Sequence, residues 1–261
     1  MPEKYQQPSL FGTAAAEEET SAVPHRFALA AEDSGTVSDR PIPAAADCSV
    51  NTDITRPFDG EATLAAVAAR ARDCRVCRLR AGCRGVVFGE GSPIARLLFV
   101  GEGPGEMEDR LGRPFVGKAG QLLDKILAAA GFERDAVYIT NVVKCRPPAN
   151  RLPLPDEVAA CLPLLKQQIG IINPDIVVCL GALATQTLLD PKARITKVRG
   201  RLVEKGGRKI LPTFHPAALL RDESKKRPVW EDFKLLRTLA AALPDREAGL
   251  DRAIAGSKGK D

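Results

Sequence analysis

His215 is the residue in this sequence best suited to acid–base or electrostatic chemistry. It follows a predicted strand, 210–214, and precedes a proline, whereas the second histidine, His25, lies in a low-complexity segment. Open α/β sheets bind ligands at the carboxyl ends of their strands, and an imidazole near neutrality can donate to a developing anion. A capping or core role for His215 is the competing interpretation.

Polar and glycine residues follow four short apolar runs that predict buried strands. The predicted strands are 96–100, 137–143, 175–180 and 210–214. The residues at their carboxyl ends are Gly101 with Glu102, then Asn141, Gly181 and His215. Because parallel strands end at one edge of a sheet, a carboxylate, a carboxamide and an imidazole are expected to meet there.

Helical patterns alternate with these strands along the chain. The predicted helices are 61–72, 120–130, 156–172, 182–189 and 229–242, the third of them helical despite Pro163. Strand–helix alternation indicates a parallel sheet with helices on both faces. We therefore expect an α/β fold with three α/β/α layers, a central four-stranded parallel sheet and a single catalytic domain.

The first predicted strand leads into a glycine-rich loop, 101–105, and a second such segment, 112–117, follows. Glycine lets backbone N–H groups approach a ligand closely. The spacing differs from the Gly-x-Gly-x-x-Gly of dinucleotide folds, and Gly117-Lys118 lacks the Ser or Thr of a P-loop, so both nucleotide sites are excluded. Phe115 is placed either to stack on a planar ligand or to plug a minor core.

The seven cysteines favour metal ligation over a disulfide framework. Cys74 and Cys77 have the Cys-x-x-Cys spacing in which two thiolates share one metal or cluster. Cys145 and Cys161 are candidates for the remaining ligands, and Cys83 is their rival. Two cysteines are set aside: Cys179 as a buried apolar residue, and Cys48 in the N-terminal segment. On spacing alone the site is either structural zinc or iron–sulfur.

Charge is unevenly distributed along the chain. Residues 1–57 hold four basic and nine acidic side chains and no sustained periodicity, so we predict a disordered tail. The whole chain nevertheless carries a net charge of +5, and 194–237 has thirteen Lys or Arg against five acidic residues. Such a basic fold predicts a polyanionic partner. A domain at 58–245 and a frayed tail at 246–261 complete the expected organisation.

No apolar run reaches the length of a membrane span, and the N-terminus has no secretory signal pattern. With the cysteine content, these features predict a cytoplasmic protein. No sustained coiled-coil pattern or second core is visible, so we expect a monomer.

Four motifs together resemble the type-4 (family 4) uracil-DNA glycosylases. They are GEGPGEMED at 101–109, GRPFVG at 112–117, TNVVKCRPP at 140–148 and HPAAL at 215–219. The resemblance covers about 73–243, in order and with compatible spacing. It implies a monofunctional DNA repair enzyme that hydrolyses the N-glycosidic bond of uracil in single- or double-stranded DNA and leaves an abasic site.

The resemblance implies roles for residues that would bind the base. His215 would donate to uracil O2, Asn141 would pair with O4 and N3–H, and Phe115 would stack on the flipped base. The backbone of Gly101 and Gly103 would line the pocket.

The resemblance also implies a catalytic carboxylate and a cofactor. Glu102 would orient or activate water and oppose the cationic sugar, acting with His215. Asn150 and Glu108 are weaker assignments, the latter for exclusion of the thymine methyl. The implied cofactor is a structural [4Fe-4S] cluster held by Cys74, Cys77, Cys145 and Cys161.

Two other functional classes are compatible with the same residues. One is a family X-like protein that crosslinks covalently to uracil-containing DNA. Such enzymes carry Gln at the position of Gly103, where many type-4 relatives carry Ala, and a Lys/Arg-rich loop before the last motif. This chain has neither the Gln nor the loop. The other is a non-catalytic iron–sulfur DNA-binding protein, because a basic surface gives affinity without reaction.

The N-terminal segment contains QPSLF at 7–11, which looks like the pentapeptide that binds the bacterial replication sliding clamp. Leu10 and Phe11 would serve as apolar anchors and Gln7 would supply hydrogen bonds. A chance match in a degenerate motif is the alternative.

Overall fold

The computed structural model describes residues 63–244. The predicted tails at 1–57 and 246–261, and with them the clamp-like peptide at 7–11, lie outside the described residues.

A six-stranded mixed sheet forms the centre of the described part of the chain. Its strands are β1 (Glu90–Gly91), β2 (Leu97–Gly101), β3 (Tyr138–Asn141), β4 (Ile176–Leu180), β5 (Val203–Lys205) and β6 (Arg208–Thr213), in the order β1-β3-β2-β4-β6-β5. The four inner strands are parallel, whereas β1 and β5 pair antiparallel with β3 and β6 at the edges.

The expected four-stranded parallel sheet is therefore correct for the inner strands and wrong in strand number. The inner strands β2 and β4 are buried along their whole length, as continuous apolar runs covered on both faces require. The edge strands have two and three residues and mixed polarity, and hydrogen bonds to a neighbouring strand stabilise them. Such strands leave no apolar period in the sequence.

Helices cover both faces of the sheet, as expected for three layers. They are α1 (Leu64–Arg72), α2 (Leu79–Gly82), α3 (Glu106–Leu111), α4 (Lys118–Ala129), α5 (Pro155–Ile172), α6 (Ala182–Leu188), α7 (Ile195–Val198), α8 (Pro216–Arg221) and α9 (Lys226–Ala241). On one face α4 and α9 pack against the sheet, with Phe233 stacked on Phe99 at 6.1 Å between ring centroids. On the other face α5 contributes the buried Gln168, whose side-chain amide donates to the hydroxyl of Tyr138.

Two short helices near the carboxyl ends of the inner strands are absent from the sequence-based assignment. Helix α3 begins directly after Gly105 in the glycine-rich loop, and α8 begins directly after His215. Each has six residues, too few to show a helical period of apolar side chains. Helix α5 runs through Pro163 as one element, as expected.

In the range 63–244, no helix has the length and apolar character needed to cross a membrane.

Candidate active site

The carboxyl ends of three inner strands, β2, β3 and β6, border one pocket, and the end of β4 lies beside it without lining it. Gly101 pairs with Asn141 at the end of β2 and β3, and Leu180 pairs with Thr213 at the end of β4 and β6. Five of the predicted site residues line the pocket: Glu102, Gly103, Phe115, Asn141 and His215.

Asn141 presents a polar atom to the pocket that nothing in the described protein satisfies. The residue is 1% exposed, and its Oδ1 is buried without a hydrogen-bond partner. A Cβ at Gly101 would lie 2.4 Å from this oxygen and 2.5 Å from the Phe115 ring, so only glycine permits the close packing. Buried polar groups without partners are rare and often mark a binding function.

Replacing Asn141 by leucine is expected to separate stability from activity. Leucine has a similar volume and removes the unsatisfied oxygen, so the free energy of unfolding should not fall and should rise by at most about 3 kcal/mol. If Asn141 pairs with the base, as the family resemblance implies, activity on a uracil-containing oligonucleotide should drop by about 10²-fold. Chemical denaturation and initial rates measure the two quantities. A variant that is both destabilised and fully active would contradict this role.

His215 is held in one orientation by the helix that follows it. Its Nδ1 accepts a hydrogen bond of 3.1 Å from the backbone N–H of Ala217 and caps α8. The proton of the neutral ring must therefore sit on Nε2, which leaves that atom as a donor. A Cβ at Gly181 would lie 2.9 Å from the Cβ of His215, so glycine is required behind it.

The charge state of His215 follows from its surroundings. Burial, and then the positive charge of Arg221, lower the pKa of His215 to about 4, with Glu108 opposing. The imidazole is therefore neutral at physiological pH. The capping interpretation and the functional interpretation of His215 describe the same side chain, because the cap determines which nitrogen can donate.

Glu102 is a half-buried carboxylate in the same pocket. Burial raises the pKa of its carboxyl, and the positive charge of Arg221 opposes that shift. Arg221 thus acts electrostatically on both Glu102 and His215. The sequence-based assignment missed Arg221. Its position six residues after His215, in the same segment, could have indicated that it lies near the site.

Phe115 is a buried aromatic residue in a strained backbone conformation. Its φ is 52°, in the left-handed region, and its ring centroid lies 5.5 Å from that of His215. Arg134 holds the loop in place, donating to the carbonyl oxygens of Pro114 at 2.6 Å and Phe115 at 3.4 Å. Strain of this kind persists only where surrounding contacts enforce it. The role of Arg134 was not predicted.

Glu108 binds backbone N–H groups on both sides of the glycine-rich segment. Its carboxylate accepts from Gly105 at 3.1 Å and from Val116 and Gly117 at 2.8 Å each. Glu108 therefore positions the loop that carries Phe115, although it also lines the pocket. Asn150 lines the pocket too, and its Oδ1 accepts from Arg146 at 2.8 Å.

A second, apolar cavity brings together the cysteines that the family resemblance selects. Cys74, Cys77, Cys145 and Cys161 all line it, and Cys83 does not. Burial raises the pKa of the Cys145 thiol, and the neighbouring Cys83 and other thiols raise it further. No three His, Cys, Asp or Glu side chains in the range 63–244 are grouped to hold a single metal ion.

Several basic side chains of the segment 194–237 form ion pairs with acidic residues of the same segment. Arg199 pairs with the buried Asp232 and donates to the carbonyl oxygen of Pro228. Asp232 also accepts a hydrogen bond of 2.6 Å from the hydroxyl of Thr213. Lysines on the same segment form pairs three residues apart. These pairs involve four of the thirteen basic residues and four of the five acidic residues, so the excess of positive charge on the segment is unchanged by them.

Comparison with known proteins places the chain in a family. Residues 88–234 match the Uracil DNA glycosylase superfamily. The type-4 uracil-DNA glycosylase of Thermotoga maritima is 51% identical over 181 residues, covering 68% of this chain and 94% of the relative. That of Sulfurisphaera tokodaii is 48% identical over 176 residues, covering 64% and 80%. A type-5 uracil-DNA glycosylase of Pyrobaculum aerophilum is 34% identical over 146 residues, covering 49% and 64%. The chain belongs to the uracil-DNA glycosylase superfamily and, within it, to the type-4 family.

Proposed function

We propose that the protein excises uracil from DNA by hydrolysing the N-glycosidic bond, leaving an abasic site for base excision repair. The observation that carries this proposal is the presence, in one pocket, of the unpartnered oxygen of Asn141 and the neutral imidazole of His215. A uracil ring offers an N–H group to the first and a carbonyl oxygen to the second. Membership of the type-4 family supports the same activity.

Base recognition depends on the carboxamide of Asn141. Its Oδ1 accepts from uracil N3–H while its amide nitrogen donates to O4. Cytosine has an acceptor at N3 and a donor at the neighbouring position, so both halves of the carboxamide would remain unpaired. Such a mismatch in a buried site discriminates strongly. The Phe115 ring, close to His215, stacks on the flipped base.

Bond cleavage separates charge between the base and the sugar. The base leaves with the bonding electron pair, and Nε2–H of His215 donates to the developing anion at O2. A donor that is already oriented stabilises this charge without reorganisation. The carboxylate of Glu102 opposes the positive charge on the sugar and accepts a proton from the water whose oxygen bonds to C1′.

The pocket favours hydrolysis without strand cleavage. A glycosylase that also cuts the strand uses an amine nucleophile, which forms a Schiff base with the sugar. Among the residues described, no lysine lines the pocket. Gly103 has no side chain there, and an added Cβ would meet Val143 at 2.7 Å, so the glutamine of the crosslinking relatives would require a shift of Val143.

A single-uracil oligonucleotide tests the activity and its alternatives together. The purified protein is mixed with the oligonucleotide, one half is treated with alkali, and both halves are run on a denaturing gel. Cleavage at the uracil only after alkali is the expected result. A slowly migrating protein–DNA band would indicate a covalent crosslink. Neither product, with the cluster intact, would indicate a binding protein without turnover.

We further propose that a [4Fe-4S] cluster occupies the cysteine cavity, held by Cys74, Cys77, Cys145 and Cys161. The residues fit, because four thiols line one apolar cavity and the backbone N–H of Lys144 donates to Cys161 Sγ at 3.3 Å. When bound, the cluster would supply structural cross-linking rather than redox chemistry.

Cys145→Ser is expected to abolish cluster binding, because serine replaces one of the four thiolates. Iron content should fall from about four atoms per chain to a small fraction of that value, with loss of visible absorbance. Cys83→Ser is the matched control, since Cys83 lies near Cys145 but outside the cavity, and it should retain full iron content. Iron loss in the control and retention in Cys145→Ser would reverse the assignment.

We also propose that the protein acts as a monomer on DNA in the bacterial cytoplasm, and that its N-terminal tail tethers it to the sliding clamp. Tethering would raise the local concentration at newly made DNA. A peptide of residues 1–15 should bind the clamp in a calorimetric titration, and replacing Leu10 and Phe11 by alanine should abolish binding. Binding that survives this double substitution would contradict the proposed tether.

A further inference from the structure

Lys144 lies between the cysteine cavity and the uracil pocket. It is 1% exposed, and it is the only lysine among the buried polar residues of the range 63–244. Burial of a lysine side chain is costly unless its N–H groups are donated to acceptors inside the protein. The contacts of this side chain therefore need an explanation.

The side-chain nitrogen of Lys144 is bound to the strand end that carries Asn141, the proposed base-recognition residue. Its Nζ donates to the backbone oxygen of Asn141 at 2.6 Å and to the hydroxyl of Thr140 at 2.7 Å. These two bonds close a loop of four residues behind Asn141, whose own Oδ1 remains free for a ligand. Lys144 therefore holds the backbone from which the carboxamide of Asn141 projects.

The other end of Lys144 is bound to the cysteine cavity. Its backbone N–H donates to Cys161 Sγ at 3.3 Å, the next residue is Cys145, and Lys144 itself lines the cavity. One residue thus contacts both sites.

We propose that Lys144 is a positioning residue that couples the cysteine cluster to uracil recognition by Asn141. The inference rests on the proposed roles of Asn141 and of the cluster. It gives the structural cluster a specific task, which is to hold the loop between Asn141 and Cys145 in the geometry that base pairing requires. A misplacement of about 1 Å in a site of this kind can cost about 10²-fold in rate.

The test is a double-mutant cycle between Lys144→Met and Asn141→Ala, with Lys125→Met on the exposed side of α4 as the matched lysine control. Lys144→Met alone should lower kcat/KM on a single-uracil oligonucleotide by about tenfold to a hundredfold. The double variant should be no slower than Asn141→Ala alone, because Lys144 then has no carboxamide to position. Losses that multiply, or a Lys144→Met enzyme as active as the control, would overturn the proposal.

Two further measurements separate positioning from a role in folding. Iron content and the melting temperature of Lys144→Met should stay close to those of Lys125→Met. Binding is measured in a Glu102→Gln background, which slows turnover. There, adding Lys144→Met should raise the Kd for uracil-containing DNA and leave the Kd for thymine-containing DNA unchanged. If Lys144→Met loses iron, Lys144→Gln, which keeps a donor, replaces it in the cycle.

The outcomes distinguish this inference from the functions on which it rests. Iron loss in both Lys144 variants, with iron retained in the lysine control, would assign Lys144 to cluster retention alone and overturn the coupling. A wild-type protein that binds iron but does not release uracil would contradict the proposed activity. A wild-type protein that releases uracil but contains no iron would contradict the proposed cluster, and with it the coupling.

Discussion

Replacing Glu102 by glutamine is expected to slow uracil release by about 10²- to 10⁴-fold while leaving the protein folded. Glutamine keeps the size of the side chain but can neither accept a proton from water nor oppose the positive charge of the sugar. The half-buried position of Glu102 makes its charge more effective than it would be in water. Single-turnover rates on a uracil-containing oligonucleotide measure the effect directly.

The matched control for this variant is Glu106→Gln. Glu106 is an exposed carboxylate at the start of α3, paired with Arg146 at 3.4 Å and outside the pocket lining. Its replacement should change the rate by less than about threefold, since exposed ion pairs contribute little. Similar losses in both variants would show that general electrostatics, and not Glu102, carries the chemistry.

The pH profile should report the same carboxylate. Burial raises the pKa of Glu102 above its usual value, and Arg221 opposes the shift. The required form is the anion, so the rate should fall as pH decreases through this raised pKa. In Arg221→Gln the opposing charge is removed, which raises the pKa of Glu102 further and should move the acid limb to higher pH.

Replacing His215 by alanine is expected to reduce the rate of uracil release by about 10²- to 10³-fold. The loss would come from the missing donor to uracil O2. Alanine also removes the cap of α8, which is expected to cost about 0.5–2 kcal/mol of stability. The rate and the melting temperature must therefore be measured together.

His215→Ser separates the two roles of the histidine. A serine hydroxyl can cap α8 as the imidazole does, so stability should return towards that of the wild type. The shorter side chain does not replace Nε2, so the rate should remain low. Recovery of activity along with stability would mean that His215 acts only as a cap.

The neutral state of His215 has its own signature in the wild-type pH profile. Because the pKa of His215 is lowered to about 4, the ring loses its proton well below neutral pH. Between pH 5.5 and 8 no change in rate should arise from this group. A titration near the ordinary histidine value of about 6.5, absent in His215→Ala, would contradict the neutral donor.

The inner strands and the groups at their ends were predictable from the sequence. Strands buried on both faces appear as continuous apolar runs, and parallel strands bring their carboxyl ends to one edge. Glu102, Asn141 and His215 could therefore be grouped without coordinates. The edge strands β1 and β5 could not be, because hydrogen bonds to neighbouring strands form them and no apolar pattern of their own marks them.

The sequence by itself determined that a carboxylate, a carboxamide and an imidazole lie at the ends of the strands and in which order, but it did not reveal Arg221 or Arg134. The tertiary structure decided their states: the tautomer and charge of His215, the unpartnered oxygen of Asn141, the strained backbone of Phe115 and the cysteines that share a cavity. The physical reason is that covalent spacing sets the position of a residue along an element. Hydrogen bonding and loss of solvent, by contrast, depend on neighbours that are distant in the chain, as the contact of Lys144 with Cys161 illustrates.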